Sequence, residues 1–242
     1  MYSQAELSNI LFLDCETAPI AGAYEDLSER MQKLWDKKSL RYKNQEPEKS
    51  SAELFMDKAG IHAEFAKIVC ISAGYLRFDD QNIPHMTMKS YSGPDEAALL
   101  KEFGVMLDKY TAVKEARHLC AHNGKEFDFP FLGRRFVINQ LSIPLALRVQ
   151  GRKPWETQFI DTMELWKFGD YKAYTSLDLL AAILDVPSPK DDMDGSQVAS
   201  VFWNDKNYDR IQHYCEKDVI TTAQVLLRMS RMPLIPNTEE SW

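Results

Sequence analysis

Apolar positions along this chain recur with two different periods. Residues Ile10 to Asp14, "ILFLD", form a short apolar run closed by a carboxylate, the pattern of a buried strand. In "YEDLSERMQKLWDKKSLRY" the period changes, and Leu27, Met31, Leu34 and Trp35 recur at helical spacing. A polar linker, "KNQEPEKSS", and a short helical piece, "AELFMDKAG", come next. The runs "KIVCISAGYLRF" and "HMTMKSYS" then predict two strands, with "FDDQNIP" as their turn.

The second half alternates elements. Pro94 and Asp95 open an amphipathic helix, "DEAALLKEFGVMLDKY", and "RHLCAH" is a short strand. "FPFLGRRFVINQL" reads as a helix with Pro130 in its first turn. "FIDTMELW" reads as a strand leading into a turn, and Ser176 caps the helix "SLDLLAAILD". A last long helix is expected from Asn204 or Asp205 to about Met229. Strands first, then strands alternating with helices, predict a mixed-sheet α/β fold. The chain is read as one domain, 1–242, with a helical insertion at about residues 22–62 between the first two strands.

Composition narrows the picture in three respects. A hydrophobic fraction of 45% over 242 residues is enough for a sizeable core. The net charge of -7 disfavours strong static binding to duplex DNA but suits an enzyme that holds cations with carboxylates. Cys15, Cys70, Cys120 and Cys215 are scattered, mostly in apolar runs and without a CxxC pair, as expected of reduced buried thiols in the cytoplasm. The pairs Cys120/His122 and His213/Cys215 are weak alternatives as metal ligands. No basic leader and no stretch of membrane-span length is visible, so neither export nor a membrane partner is expected.

Three groups of acids carry the candidate chemistry. Asp14 and Glu16 end the first strand, and residues two apart on an extended chain point to one side, where both reach one cation. The bland alternative is a strand-end acid capping a turn. In "HNGKEFDFPFLGRR", Asp128 precedes Pro130 and is equally placed to cap the helix. The same cluster sets Asn123, Phe127 and Asp128 at a strand-to-helix junction, where α/β sheets gather ligands. Asp218 lies in the last helix, with Lys217 and Arg210 as local partners in the bland reading.

"DxE" at a first strand, "N-x3-F-D-x-P-F-L" before a helix and "Y-x3-D" in a late helix resemble the three motifs of DEDD 3′–5′ exonucleases. The second motif is most similar to the proofreading exonuclease domain of family-B DNA polymerases and its stand-alone bacterial relatives. The resemblance runs from about Ile10 to Leu227, and Tyr24 to Gly60 has no counterpart in it. It implies a ribonuclease H-like fold with a mixed five-stranded sheet. It also implies that Asp14, Glu16, Asp128 and Asp218 bind two Mg²⁺ ions, with Mn²⁺ as a substitute, in a two-metal phosphodiester hydrolysis. Thr17, Asn123 and Phe127 would contact the substrate strand.

The family has two branches, with a tyrosine four residues or a histidine five residues before the last aspartate, and Tyr214 and His213 meet both spacings. In a helix, a residue four back lies roughly 40° from Asp218 and a residue five back roughly 140° away. No glycine or proline interrupts the helix before Asp218, and Ile211, Tyr214, Cys215, Asp218, Thr222 and Val225 share a stripe. Tyr214 is therefore expected to face the site and orient the attacking water, with Glu16 as a proton acceptor.

Two basic stretches are candidates for substrate grip. Lys125, Arg134, Arg135, Arg148, Arg152 and Lys153 follow the second motif. The inserted helix carries Arg30, Lys33, Lys37, Lys38, Arg41 and Lys43 with Trp35 and Tyr42, although the pattern assigns Trp35 to a core. The expected substrate is the 3′ end of single-stranded nucleic acid, DNA in preference to RNA, with nucleoside 5′-monophosphates as products. An RNA 3′-end trimmer and a catalytically silent nucleic-acid-binding module remain as alternatives on the same residues. Asp161 in "FIDTM" fits either a turn cap or an acid that supports the site's residues, and the cap is the favoured reading.

Overall fold

The computed structural model of the chain describes residues 2–112, 118–170, 172–187 and 193–236. After a one-turn helix α1 (Gln4–Leu7), the strands are β1 (Ile10–Pro19), β2 (Ala66–Phe78), β3 (Pro84–Ser92), β4 (His118–Ala121) and β5 (Phe159–Asp161). They form a mixed sheet of order β3-β2-β1-β4-β5. β1 pairs antiparallel with β2, and β2 with β3. β4 runs parallel to both β1 and β5. The carboxyl ends of β1, β4 and β5 therefore open on one edge, where chain reversals bring side chains together.

Both faces of β1 are covered, so its burial is nearly continuous. Its odd positions, Leu11, Leu13 and Cys15, pack with α4 (Glu96–Ala112) and α5 (Asp128–Ile138), through Leu100, Phe103, Phe129 and Leu132. Its even positions, Ile10 and Phe12, pack against Val219, Ala223, Leu226 and Leu227 of the last helix. Three short helices precede that last one: α6 (Thr162–Lys167), α7 (Leu177–Ile183) and α8 (Val198–Ser200). Ser176 caps α7 as expected, accepting from the Leu179 amide at 3.3 Å.

The long helix, α9 (Tyr208–Met229), begins three to four residues later than the sequence predicts. Residues Val201–Asp205 form a π-turn, and Lys206 then adopts a left-handed conformation, φ 52°, which ends it. Asn207 restarts the helix by accepting from the Arg210 amide at 3.1 Å. "TMELWK" after β5 is the helix α6 rather than a turn, because Asp161 caps it. Arg117, the first residue of the expected fourth strand, lies outside the described residues.

The insertion between β1 and β2 holds α2 (Glu29–Lys43) and α3 (Ser51–Lys58). Ser50 and Glu53 cap α3 reciprocally, each side chain bonding the other's backbone amide. Trp35 is fully buried, edge-on to Phe55 at 5.5 Å and to Phe65 at 5.1 Å, and its indole N–H donates to the Ser51 carbonyl. It belongs to a core, and its ring is closed to any base. Among the described residues no helix is long and apolar enough to cross a membrane.

Arg135, expected among the basic residues that guide substrate, is buried instead. Its guanidinium forks onto Glu96, Nε to Oε1 at 2.8 Å and Nη2 to Oε2 at 2.5 Å, and Nη1 donates to the Ala63 carbonyl. Glu96 also accepts from the Ile68 amide and from Asn139 Nδ2. One ion pair thus ties α4, α5, β2 and the end of the insertion. Removing one partner strands a buried charge, which costs about 3–5 kcal/mol. Urea unfolding of Glu96→Ala should show a loss of that order. Glu96→Ala/Arg135→Ala should lose less than the sum of the two single variants.

Candidate active site

The alternation that sends Ile10 and Phe12 towards α9 also sends Asp14 and Glu16 there. Asp14 pairs with Ser72 of β2 and Glu16 with Cys70, and the register shifts between Glu16 and Thr17. Such a bulge sharpens the strand's twist at the point where the two acids project. Ligand atoms of Asp14, Glu16 and Cys215 lie within 4.8 Å of one another. The Cys215 thiol donates to the Asp14 backbone oxygen and to Oδ2, both at 3.4 Å.

Asp128 reaches the same place from the other side of the sheet. It is the first residue of α5, and Phe127 holds the cap position without a side-chain cap bond. Its carboxylate does not cap the helix. Oδ1 instead accepts from the Cys15 amide at 3.1 Å and the Cys15 thiol at 3.2 Å, across to β1. The α5 N-terminus favours a negative charge there. Asp128 is 2% exposed and Glu16 8% exposed, so water screens neither.

The carboxyls respond as crowded, buried like charges. Burial, then the Asp128 carboxylate, push Asp14 up to about 7. Burial, helped by the Asp161 carboxylate, raises Asp128 to about 7, against the hydrogen bonds from Cys15. Glu16 is raised well above the carboxylate range by burial, Asp14 and Asp218, and hydrogen-bonds Asp14. Glu16 therefore senses Asp14, Asp128 and Asp218, carboxyls brought to it by β1, α5 and α9. Hard divalent cations take oxygen ligands of this kind, and their charge is what such a cluster lacks.

Because α9 begins at Tyr208, Tyr214 and Asp218 lie one turn apart on a continuous helix. The Tyr214 hydroxyl hydrogen-bonds Asp218, and burial followed by Asp218, Glu16 and Asp14 holds it well above the usual tyrosine range. It stays protonated and serves as a donor. His213 is exposed to solvent. The two candidates thus separate as the helical geometry requires.

The loop before α5 is held by Asp161, for which the sequence favoured a turn cap over a supporting acid. Asp161, 3% exposed, caps α6 through the Met163 and Glu164 amides, and also accepts from the Asn123 amide at 2.9 Å and the Lys125 amide at 3.1 Å. Between them, a β-carbon on Gly124 would come 2.4 Å from the Ala121 β-carbon, so only glycine fits. Asn123 takes a left-handed conformation, φ 61°, and its buried Oδ1 has no hydrogen-bond partner. Burial keeps His122 neutral, so Nε2–H donates to the Thr175 carbonyl and Nδ1 accepts from the Thr162 hydroxyl, each at 2.9 Å. Phe127 leans on Phe131 at 5.3 Å. The Thr17 hydroxyl turns to the insertion and donates to the Gly60 carbonyl at 2.7 Å.

Asp14, Glu16, Asp128, Asp218 and Tyr214 thus meet, while Thr17, Asn123 and Phe127 stand on the flanking strand end and loop. Sequence reasoning set Cys215 on the stripe of Tyr214 and Asp218 but missed its bond to Asp14, and it missed Cys15 as a donor to Asp128. The adjacency of Cys15 to Asp14 in the chain was the available signal. Lys125 pairs with Glu164, and so is not a free cation of the second motif.

Comparison with known proteins adds a family and a fold. A family model described as a predicted 3′–5′ exonuclease related to the exonuclease domain of PolB matches residues 60–236. The match begins at the end of the insertion, so Asp14 and Glu16 precede it. The family B DNA polymerase of the hyperthermophilic archaeon Pyrobaculum calidifontis overlays 91% of this chain with a TM-score of 0.53 and 13% identity. That overlay covers 24% of the polymerase and supports a ribonuclease H-like fold. E. coli Exonuclease I in complex with a dT13 oligonucleotide overlays 92% of the chain, with a TM-score of 0.45, 12% identity and 42% of Exonuclease I covered. With a dA16 oligonucleotide the TM-score is 0.48, at 11% identity and 41% coverage of Exonuclease I. The chain thus spans about a quarter of the polymerase and about two-fifths of Exonuclease I. No curated protein matches it in sequence.

The raised carboxyls have a consequence for stability. A group whose folded pKa lies near 7 against 3.8 destabilises the metal-free fold as pH rises from about 4, in full above about 7. Asp14→Asn should therefore raise the melting midpoint of the chelator-treated protein by several degrees near pH 8. Near pH 4 the gain should vanish, as a pair of calorimetric scans would show.

Proposed function

Since the chain belongs to the family of predicted 3′–5′ exonucleases related to the exonuclease domain of PolB, we propose that it hydrolyses phosphodiester bonds from the 3′ ends of single-stranded DNA, releasing nucleoside 5′-monophosphates. The observation that carries the reading is the convergence of Asp14, Asp128 and Asp218 around Glu16, with the Tyr214 hydroxyl bonded to Asp218. Asp14, Glu16, Asp128 and Asp218 would hold two Mg²⁺ ions, or Mn²⁺ in their place. Bound divalent cations supply the positive charge that eases deprotonation of water near neutral pH and departure of the 3′-oxygen.

The chain's own groups do the rest. Tyr214, a protonated donor, orients the attacking water, and Glu16 accepts its proton. Cys15 and Cys215 hold Asp128 and Asp14 in place by donating to them. Asp161 sets the loop from which Asn123 and Phe127 meet the substrate strand, the ring by stacking. Thr17 lines the approach beside Glu16. Unpaired termini enter so recessed a site more readily than duplex ends, which favours single strands.

The test is direct. A 5′-labelled single-stranded DNA should shorten from its 3′ end in Mg²⁺, faster than the matching RNA, and persist in chelator. Asp128→Ala should abolish the shortening. Tyr214→Phe should slow it by about 10²–10⁴-fold, while His213→Ala stays close to the parent rate. Failure to shorten either nucleic acid would sink the nuclease reading, and a more severe loss in His213→Ala than in Tyr214→Phe would reverse the assignment.

A further inference from the structure

The insertion lies ahead of the family-matched span except for its last turn, and its first helix is electrostatically unlike the rest of the chain. α2 holds six cationic residues, Arg30, Lys33, Lys37, Lys38, Arg41 and Lys43, against Glu29 and Asp36. Its net charge is therefore +4 in a chain of -7, which leaves -11 on everything else. Arg30, Lys37 and Arg41 fall within an arc of roughly 40°, with Lys33 and Lys38 on its flanks. All five are exposed, on the side opposite buried Trp35 and Ser39. Among the described residues none of the five forms an ion pair with a carboxylate. Asp36, the acid nearest in the helix, is taken by the Tyr24 hydroxyl at 3.0 Å.

This stripe is rigidly connected to the carboxylate pocket. Trp35 anchors α2 on α3 through Phe55 and Ser51. The turn that follows α3 is fastened to β1 by the bond from Thr17 to Gly60, one residue beyond Glu16. Leu34 and Leu40 are also exposed, but they lie about 120° apart around the helix and form no apolar face to enter a lipid surface. A row of cations along about 22 Å of helix suits a polymer with regularly repeated negative charge.

We propose that the exposed face of α2 binds the phosphate backbone of the single strand upstream of its 3′ end, so that the insertion is the strand-holding element of the protein. The inference rests on the exonuclease reading for the identity of the polyanion, and it adds a site outside the catalytic pocket. It also accounts for how an acidic protein holds an anionic substrate: attraction is concentrated on basic stretches such as this stripe, in a chain that is otherwise net acidic.

Binding is measured without hydrolysis, by anisotropy of a 5′-labelled oligothymidylate longer than α2, in Ca²⁺ and over a range of salt. The full chain is compared with Arg30→Gln/Lys33→Gln/Lys37→Gln, and with a control of equal charge change, Lys101→Gln/Lys109→Gln/Lys206→Gln. Three lost phosphate contacts should flatten the log–log salt slope by about 2 and weaken binding at least about tenfold at low salt. The control should keep the parent slope. Lys37→Gln alone, which touches nothing in the core, should flatten it by about 0.7 and covers the case of a triple variant that does not fold. Equal slopes in parent and α2 variants, or an equal loss in the control, overturn the proposal. So does a variant that loses polyglutamate binding while keeping the oligonucleotide, since the stripe would then serve an acidic protein. A chain that hydrolyses DNA with an unchanged slope sinks this proposal alone. A chain that binds with the expected slope but cuts nothing sinks only the nuclease reading.

Discussion

Everything around the candidate site depends on one constraint: carboxyls from three elements crowd around Glu16, and water screens neither Glu16 nor Asp128. Asp14, Glu16 and Asp128 would each be more stable exposed: burial raises all three, and neighbouring carboxylates add to it. A fold keeps such an arrangement only if the backbone over-determines it. β1 does so by alternation, with its even side chains turned to α9 and its odd ones to α4 and α5. Asp128 is brought round by the first turn of α5 and held on β1 by two donors from Cys15. The electrostatic cost is local, and cations bound there would remove it.

The supporting shell is built from a few groups with many bonds each. Asp161 satisfies four amides from two segments, which is why a short loop with a left-handed Asn123 and an obligatory Gly124 is held in one conformation. Glu96 and Arg135 do the same on the far face, joining two helices, a strand and the insertion. Both hubs are buried and fully hydrogen-bonded, the condition under which buried charge specifies a structure. The site is therefore held by rigid elements from both sides of the sheet.

The insertion has its own small core around Trp35 and touches the site through a hydrogen bond from Thr17. Its outer face was free to acquire charge without disturbing the pocket. Attraction for a polyanion and repulsion among buried acids are thereby kept on separate elements. That separation lets a net-negative chain combine a cluster of acids with a basic surface.

Periodicity alone was enough for the strands, the amphipathic helices and the burial of Trp35, because each depends on a local repeat of apolar positions. The choice of Tyr214 over His213 as the residue facing Asp218 was equally legible, since 100° per residue holds in any unbroken helix. Helix ends were less so. The π-turn and the left-handed Lys206 that delay α9 carry no glycine or proline to announce them. Only the tertiary structure decided what pairs across the sheet: that Arg135 is a buried partner of Glu96 rather than a surface cation, that Asp128 bonds β1 rather than its own helix, and that Cys215 leans on Asp14. Local pattern records which way a side chain points along its own element. What it meets there depends on residues about 40 to 200 positions away, placed by packing that no short stretch encodes.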